Sequence, residues 1–222
     1  MVNTDFKCHV FIGMFGSGKT EIALNTAIYL KEKYDHVAIA DIDVISPYFR
    51  TRDEIDILSN MNIKVITPPK RFMHADLPII PPEVGGYIVN PEYQTVIDAG
   101  GNEDGATVVG SLNNFLTQTK TATYLVVNTK RPFMNTVDDI IYNLERLGAK
   151  ARRKIDYLVS NSNLQNETTE EVILEGEKLL MEVSEKTGIP IAFTVVPEFL
   201  KDIETQNKKF ILRRFMDKVY EL

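Results

Sequence analysis

Eight residues, GMFGSGKT from Gly13 to Thr20, limit what this chain can fold into more than any other stretch. The spacing G-x-x-x-x-G-K-[ST] is what a phosphate cradle requires. Glycines let successive backbone N–H groups turn inward, a lysine reaches the β and γ oxygens, and a threonine hydroxyl is left for Mg²⁺. On this reading Gly13, Gly16, Ser17 and Gly18 shape the loop, Lys19 binds phosphate and Thr20 ligates the metal. The motif has meaning only between a strand and a helix, where phosphates meet a helix N-terminus. Both flanks fit: the apolar KCHVFI precedes it and the helix-period EIALNTAIYLKEK follows.

Apolar runs at 7–12, 36–41, 63–66, 94–98, 122–127, 156–160 and 191–196 alternate with helical patterns, as in a parallel sheet covered by helices. The expected fold is α/β and three-layered, a predominantly parallel sheet with helices on both faces, of P-loop NTPase type. A length of 222 residues suits a single nucleotide-binding domain, 1–222. Val108, Val109, Leu112, Phe115 and Leu116 share one helical face, as do Val137, Ile140, Ile141, Leu144 and Leu147. A capping box, Thr168 with Glu171, opens a helix that runs through Val172, Gly176, Leu179 and Val183 and stops at Gly188, before Pro190. The proline-rich Thr67–Tyr93 stretch reads as long and irregular, either a substrate- or partner-contacting element or a plain surface loop.

Composition narrows the function classes. Hydrophobic residues at 44% and charged residues at 25% are ordinary for a globular protein. No segment nears the roughly 18 apolar residues of a membrane span, and MVNTDFK lacks a signal-peptide layout, so a cytoplasmic location is expected. The lone cysteine, Cys8, falls inside an apolar strand and reads as a buried structural thiol. His9, His36 and His74 have no metal-ligand spacing, and no zinc or iron site is expected. A net charge of -6 argues against a dedicated nucleic-acid binder. The basic clusters Lys150–Lys154 and Lys208–Arg214 read as a solvated loop and a helix face. In that C-terminal helix Ile211, Phe215, Val219 and Leu222 would form an apolar stripe, docked on the domain rather than anchoring it to a membrane.

Three further carboxylates point to metal-assisted phosphate chemistry. In YQTVIDAGG, Asp98 ends an apolar run, and Gly101 follows where a backbone N–H could meet a γ-phosphate. Taken alone Asp98 could be a helix cap or turn residue; after a phosphate loop it reads as the carboxylate that organises Mg²⁺. In VAIADIDVISPYFRTR, Asp41 and Asp43 lie at the C-terminal end of the second strand, where ligands collect in open α/β sheets. Side by side they repel unless a cation separates them, and Mg²⁺ with a polarised water is the natural partner; the alternative is a pair of exposed turn carboxylates.

The ordered set GMFGSGKT, DID followed by SPYFR, VIDAGG, VSN and VVPE resembles the MinD/ParA/ArsA branch of P-loop ATPases, of the SIMIBI class, from Phe6 to about Glu198. The resemblance implies that the phosphate-loop strand lies beside the one carrying Asp98, and that ATP with Mg²⁺ is preferred. By motif, it gives Asp41 the metal's waters, Asp43 the attacking water, Gly101 the γ-phosphate and Asn161 the adenine, with Asn163 as the alternative. Pro197 and Glu198 match the loop that closes over the base. One departure is plain: that branch's signature lysine, which reaches a dimer partner's phosphates, is Met14 here. Arg50 and Arg52, beside a switch segment at Ser46 to Phe49, are the nearest internal cations in sequence. The guanine-reading N-K-x-D is also absent, NTKR at Asn128–Arg131 being a poor imitation, and no C-x-x-C of a metal-delivery ATPase occurs.

The leading expectation is an ATP-binding protein with slow Mg²⁺-dependent hydrolysis, its nucleotide state controlling a protein partner, and with no tight dimer through the phosphate loop. Two alternatives stand beside it. One is a carboxylate-activating synthetase of dethiobiotin or cobyrinic acid amide type, with Arg131 and the Thr67–Tyr93 stretch gripping an acid. The other is a membrane- or DNA-positioning switch.

Overall fold

The structure, a computed structural model, describes residues 2–43, 55–67 and 80–215. Its elements are β1 (Cys8–Gly13), α1 (Lys19–Lys31), β2 (Val37–Ile42), α2 (Ile55–Asn60), β3 (Ile63–Ile66), α3 (Glu83–Val89), β4 (Gln94–Ala99), α4 (Asn102–Ser111) and α5 (Asn113–Leu116). They continue through β5 (Thr121–Val127), α6 (Val137–Ala151), β6 (Tyr157–Ser160), α7 (Glu170–Thr187), β7 (Ile191–Pro197) and β8 (Lys209–Leu212). The strands form one sheet in the order β3-β2-β4-β1-β5-β6-β7-β8. Every described pairing is parallel.

A strand buried on both faces needs apolar residues at successive positions, and the central strands have them. In β1, Cys8, Val10 and Ile12 face one core with Val84 and Ile88 of α3, Val109 of α4, Ile140 and Leu147 of α6, and Leu180 of α7. Phe11, one residue out of phase, faces the other core with Ile22, Leu24 and Leu30 of α1 and Leu58 of α2. The alternation divides the helices between the two faces and gives the three layers. Cys8 is fully buried, and burial pushes its thiol up to about 12.

Both α6 and α7 start where a threonine hydroxyl accepts from the backbone: Thr136 from Asp139 N and Thr169 from Val172 N. The cap of α7 is therefore Thr169 and not Thr168, whose hydroxyl accepts from Leu164 N (2.9 Å) and donates to Gln165 O (2.6 Å). Gly188, at φ 70, ends α7 as expected.

Two further expectations are corrected. The Thr67–Tyr93 stretch is not irregular throughout, because Glu83–Val89 is helical; residues 68–79 lie outside the described residues. The basic Lys208–Arg214 segment is not a helix face. Lys209–Leu212 extends along β7 as the parallel edge strand β8, with Phe210 opposite Val195 and Leu212 opposite Pro197. Phe210 stacks on Phe193 at 4.8 Å, while Ile211 points outward and is exposed. The helical stripe from Ile211 does not form, since a strand puts Phe210 and Leu212 on one face; Val219 and Leu222 lie outside the described residues. No helix among the described residues is long and apolar enough to cross a membrane.

Candidate functional site

The strand order turns about β1: the chain leaves β1 for β2, fills the gap with β4, and continues past β1 through β5 to β8. A crevice opens outside the strand ends at such a reversal. The Gly13–Thr20 loop lies there, between β1 and α1. Gly16 at φ 70 and Gly18 at φ 89 occupy the left-handed region, which a β-carbon disfavours. A side chain at Gly18 would also collide with the Asn161 amide, and one at Gly16 with the Arg131 guanidinium. Gly13 serves packing: a β-carbon there would stand 2.5 Å from the Val126 carbonyl oxygen of β5.

Neighbouring strand ends brace the loop. Asn161 Nδ2, just past β6, donates to Ser17 O at 2.7 Å, and Asn163 Nδ2 donates to Asn161 O at 2.8 Å. Arg131 Nε, after β5, donates to Gly16 O at 2.9 Å. Phe15 N donates to Asn102 Oδ1 at 2.8 Å, and Gly101 packs so closely on Phe15 that an added β-carbon would lie 2.9 Å from its Cα. Asn102 accepts this bond with φ at 60, a conformation asparagine tolerates better than most residues.

Lys19 opens α1 at 6% exposure, and its Nζ donates to Met14 O at 3.0 Å. Burial lowers its pKa, and the carboxylates of Asp98 and Asp43 act against that shift. Asp98 and Asp41 are fully buried and stand opposite each other in register at the ends of β4 and β2. Asp41 Oδ1 accepts from Asp43 N at 3.0 Å and so shapes the end of β2. Among the described residues no three His, Cys, Asp or Glu side chains converge as a ready metal cage. Mg²⁺ keeps several waters and takes substrate phosphate oxygens with few protein ligands. The donor set of Thr20 hydroxyl, Asp41 and Asp98 is all oxygen, as this hard cation requires.

Above the loop lies a cavity of about 410 Å³. Gly16, Gly18, Lys19, Thr20, Asp43, Gly101, Asn161 and Pro197 line it; Gly13, Ser17, Asp41 and Asp98 do not. Ser17 is buried within the loop, and the two carboxylates are buried in strand ends. Away from the lysine the wall is Val195 and Pro197 of β7, Leu212 of β8, and Asn163, Gln165, Thr168 and Arg214. Glu198 is exposed in a short 3-10 turn directly after Pro197. Sequence reasoning missed Gln165, Thr168, Leu212 and Arg214, because the β8 end that carries two of them reads as helix in one dimension. Ser46 to Phe49, Arg50 and Arg52 lie outside the described residues.

Solved structures share this architecture. Signal recognition particle receptor FtsY from Elizabethkingia anophelis, in complex with GDP, has a TM-score of 0.57 at 13% identity, over 93% of this chain and 62% of that one. FtsY from Mycoplasma mycoides gives 0.55 at 16% identity, over 84% of this chain and 58% of that one. FlhF complexed with GTP and Mg²⁺ gives 0.52 at 15% identity, over 85% and 65%. The chain has the P-loop NTPase fold. It spans less than two thirds of the length of each of these proteins. No protein-family profile matches the chain, and no curated protein matches it by sequence. At these identities the likeness shows the fold, and the MinD/ParA character suggested by short motifs stays a proposal.

Proposed function

We propose that this protein binds a nucleoside triphosphate with Mg²⁺ in the 410 Å³ cavity, prefers ATP, hydrolyses it slowly, and passes its nucleotide state to a protein partner. One observation supports this above all. The buried Lys19 and the left-handed loop glycines share a single cavity with Val195, Pro197 and Leu212, so a phosphate end and an apolar end are joined.

Each residue then has a task. Lys19 holds the terminal phosphate oxygens once its ammonium leaves the Met14 carbonyl. Thr20 offers its hydroxyl to Mg²⁺, Asp41 and Asp98 hold the metal's waters, and the Gly101 N–H faces the γ-phosphate. The metal supplies charge neutralisation on the phosphates. Asp43, on the cavity wall, orients the attacking water and accepts its proton.

Base preference follows from what the far wall offers. Guanine presents adjacent donors that a carboxylate satisfies best; Glu21 of α1, which also lines the cavity, has both oxygens turned toward Phe215 N, at 3.0 and 3.1 Å. The side-chain amides of Asn163 and Gln165 can donate and accept, as the adenine edge requires, while the Thr168 hydroxyl already donates to Gln165 O. Asn161 and Asn163 each spend one amide N–H, on Ser17 O and on Asn161 O, and each keeps a second for the base.

Partner control is supported by the cavity's rim. Phe15 lines the cavity and is 55% exposed, and Phe133 (70%) and Phe199 (56%) are exposed two residues along the chain from the lining Arg131 and Pro197. Exposed aromatics around a nucleotide site suit an interface that opens or closes with the ligand. Met14 packs against the core, so the loop offers no lysine across a dimer. Single-turnover phosphate release tests the reading. Slow release from ATP that stops without Mg²⁺ supports it, and equal rates with and without the metal contradict it.

A further inference from the structure

The motif that most resembles a nucleotide-switch ATPase lacks the cation such a loop is expected to present, because its second position is Met14, turned into the core. Charge on the transferring phosphoryl group must then be met from elsewhere, and the loop after β5 brings a cation to the place. Two cations stand side by side there. Lys130 turns to α7 and pairs with Glu175 at 3.0 Å. Arg131 turns the other way and lies on the phosphate loop, its Nε donating to Gly16 O at 2.9 Å.

Three observations fix that placement. A β-carbon on Gly16 would stand 2.7 Å from Arg131 Cζ, so the glycine leaves room for the guanidinium against the loop. The Arg131 backbone is held in a tight turn, its N–H on Asn128 O at 3.1 Å and its carbonyl accepting from Met134 N at 3.2 Å. Asn128 in turn accepts from Lys130 N (3.0 Å) and Asn163 N (3.2 Å), which ties the turn to the end of β6. Arg131 also lines the cavity, with Gly16, Gly18 and Lys19. An arginine with its Nε committed keeps its two terminal nitrogens free to meet phosphate oxygens in a fixed plane.

We propose that Arg131 is a catalytic residue of the hydrolysis, an arginine supplied within the chain that neutralises charge at the scissile β–γ bridge. This rests on the ATPase reading above. In the step concerned a water oxygen bonds to the γ-phosphorus and the bond from that phosphorus to the bridging oxygen breaks. The electron pair of the broken bond leaves on ADP, and the water's proton passes to Asp43. Negative charge builds on the departing oxygen, beside the loop on which the guanidinium lies. Arginines in this role contribute factors of about 10³ to 10⁵ in other P-loop enzymes.

The test compares wild type, Arg131→Ala and Arg131→Lys. It measures Mg·ADP affinity, the tightening of Mg·ADP when fluoroaluminate is added, and single-turnover hydrolysis of ATP. The expected result is a loss of at least about 100-fold in hydrolysis and in the fluoroaluminate effect in Arg131→Ala, against a much smaller loss of Mg·ADP affinity from the missing brace on Gly16. Arg131→Lys, which keeps charge but not the planar fork, falls between. A bracing role alone would weaken Mg·ADP as much as the fluoroaluminate complex, and that result overturns the proposal. So does an Arg131→Ala variant with full hydrolysis and a full fluoroaluminate effect, or a wild type that binds Mg·ADP without tightening on fluoroaluminate. A wild type that binds no nucleotide overturns the ATPase reading itself, whereas the other outcomes leave nucleotide binding standing.

Discussion

Lys19 concentrates the electrostatics of the site into one side chain: buried, depressed by that burial, and held against it by Asp98 and Asp43. Replacing it with alanine leaves the strands and both cores untouched, and it removes the one lysine ammonium that lines the cavity among the described residues. Lys19→Ala is expected to lose Mg·ATP affinity by at least about 100-fold while melting within a few degrees of wild type, as checked by calorimetric titration. Asp43→Ala is expected to keep Mg·ATP affinity within a few-fold and lose turnover, since its task lies with the water; single-turnover phosphate release shows the difference. Lys19, Thr20, Asp43 and Gly101, all named from the sequence, line one cavity because motif spacing and strand ends determine where they fall. The sequence could not show that Asn161 donates to Ser17 O or that Arg131 lies on Gly16, since those contacts depend on how loops from separate strands converge.

Among the elements, β8 shapes the site most and was hardest to read. A short apolar run among lysines and arginines fits helix and strand equally, and long-range pairing with β7 decides it. Glu177 of α7 holds the connection into β8. Its buried carboxylate accepts from Thr194 Oγ1 (2.6 Å), Gln206 N (3.0 Å), Asn207 N (2.9 Å) and Asn207 Nδ2 (2.8 Å). Burial alone would raise its pKa, and these hydrogen bonds outweigh burial and bring it below the usual value. Glu177→Ala strands buried donors and is expected to cost roughly 2–4 kcal/mol, a drop of about 5–12 °C in Tm. Because Leu212 and Arg214 at the end of β8 line the cavity, the same variant should also weaken nucleotide binding. The helix Glu83–Val89 escaped notice for another reason: Gly85 and Gly86 lower its intrinsic propensity, yet Gly85 is needed where the Phe115 ring crosses 2.6 Å from a would-be β-carbon.

For the whole molecule, the sheet and its layers were legible because buried parallel strands must be apolar at successive positions, and seven of the eight described strands show that run. The centre of that sheet also makes stability depend on pH. His9 of β1 is fully buried beside the Tyr124 hydroxyl, and burial lowers its pKa to about 4. The unfolded chain takes up this proton near pH 6.5 and the folded chain only near pH 4, so stability falls as pH drops through that window, by up to about 3 kcal/mol. Glu177, depressed in the fold, removes further stability as its carboxylate protonates at lower pH. Urea melts at pH 7 and pH 5 should show the first loss, and His9→Leu should flatten it.

Thermal melting of wild type and Lys19→Ala with Mg·ATP, Mg·ADP and Mg·GTP decides most directly whether the cavity is a nucleotide site. A ligand that binds only the folded chain raises its melting temperature with the logarithm of its concentration relative to Kd. The expected result is a rise with Mg·ATP and Mg·ADP in wild type, a smaller rise with Mg·GTP, and no rise in Lys19→Ala. A wild type that melts at one temperature in all conditions, or a Lys19→Ala variant that shifts as far as wild type, would contradict a phosphate site built on Gly13 to Thr20.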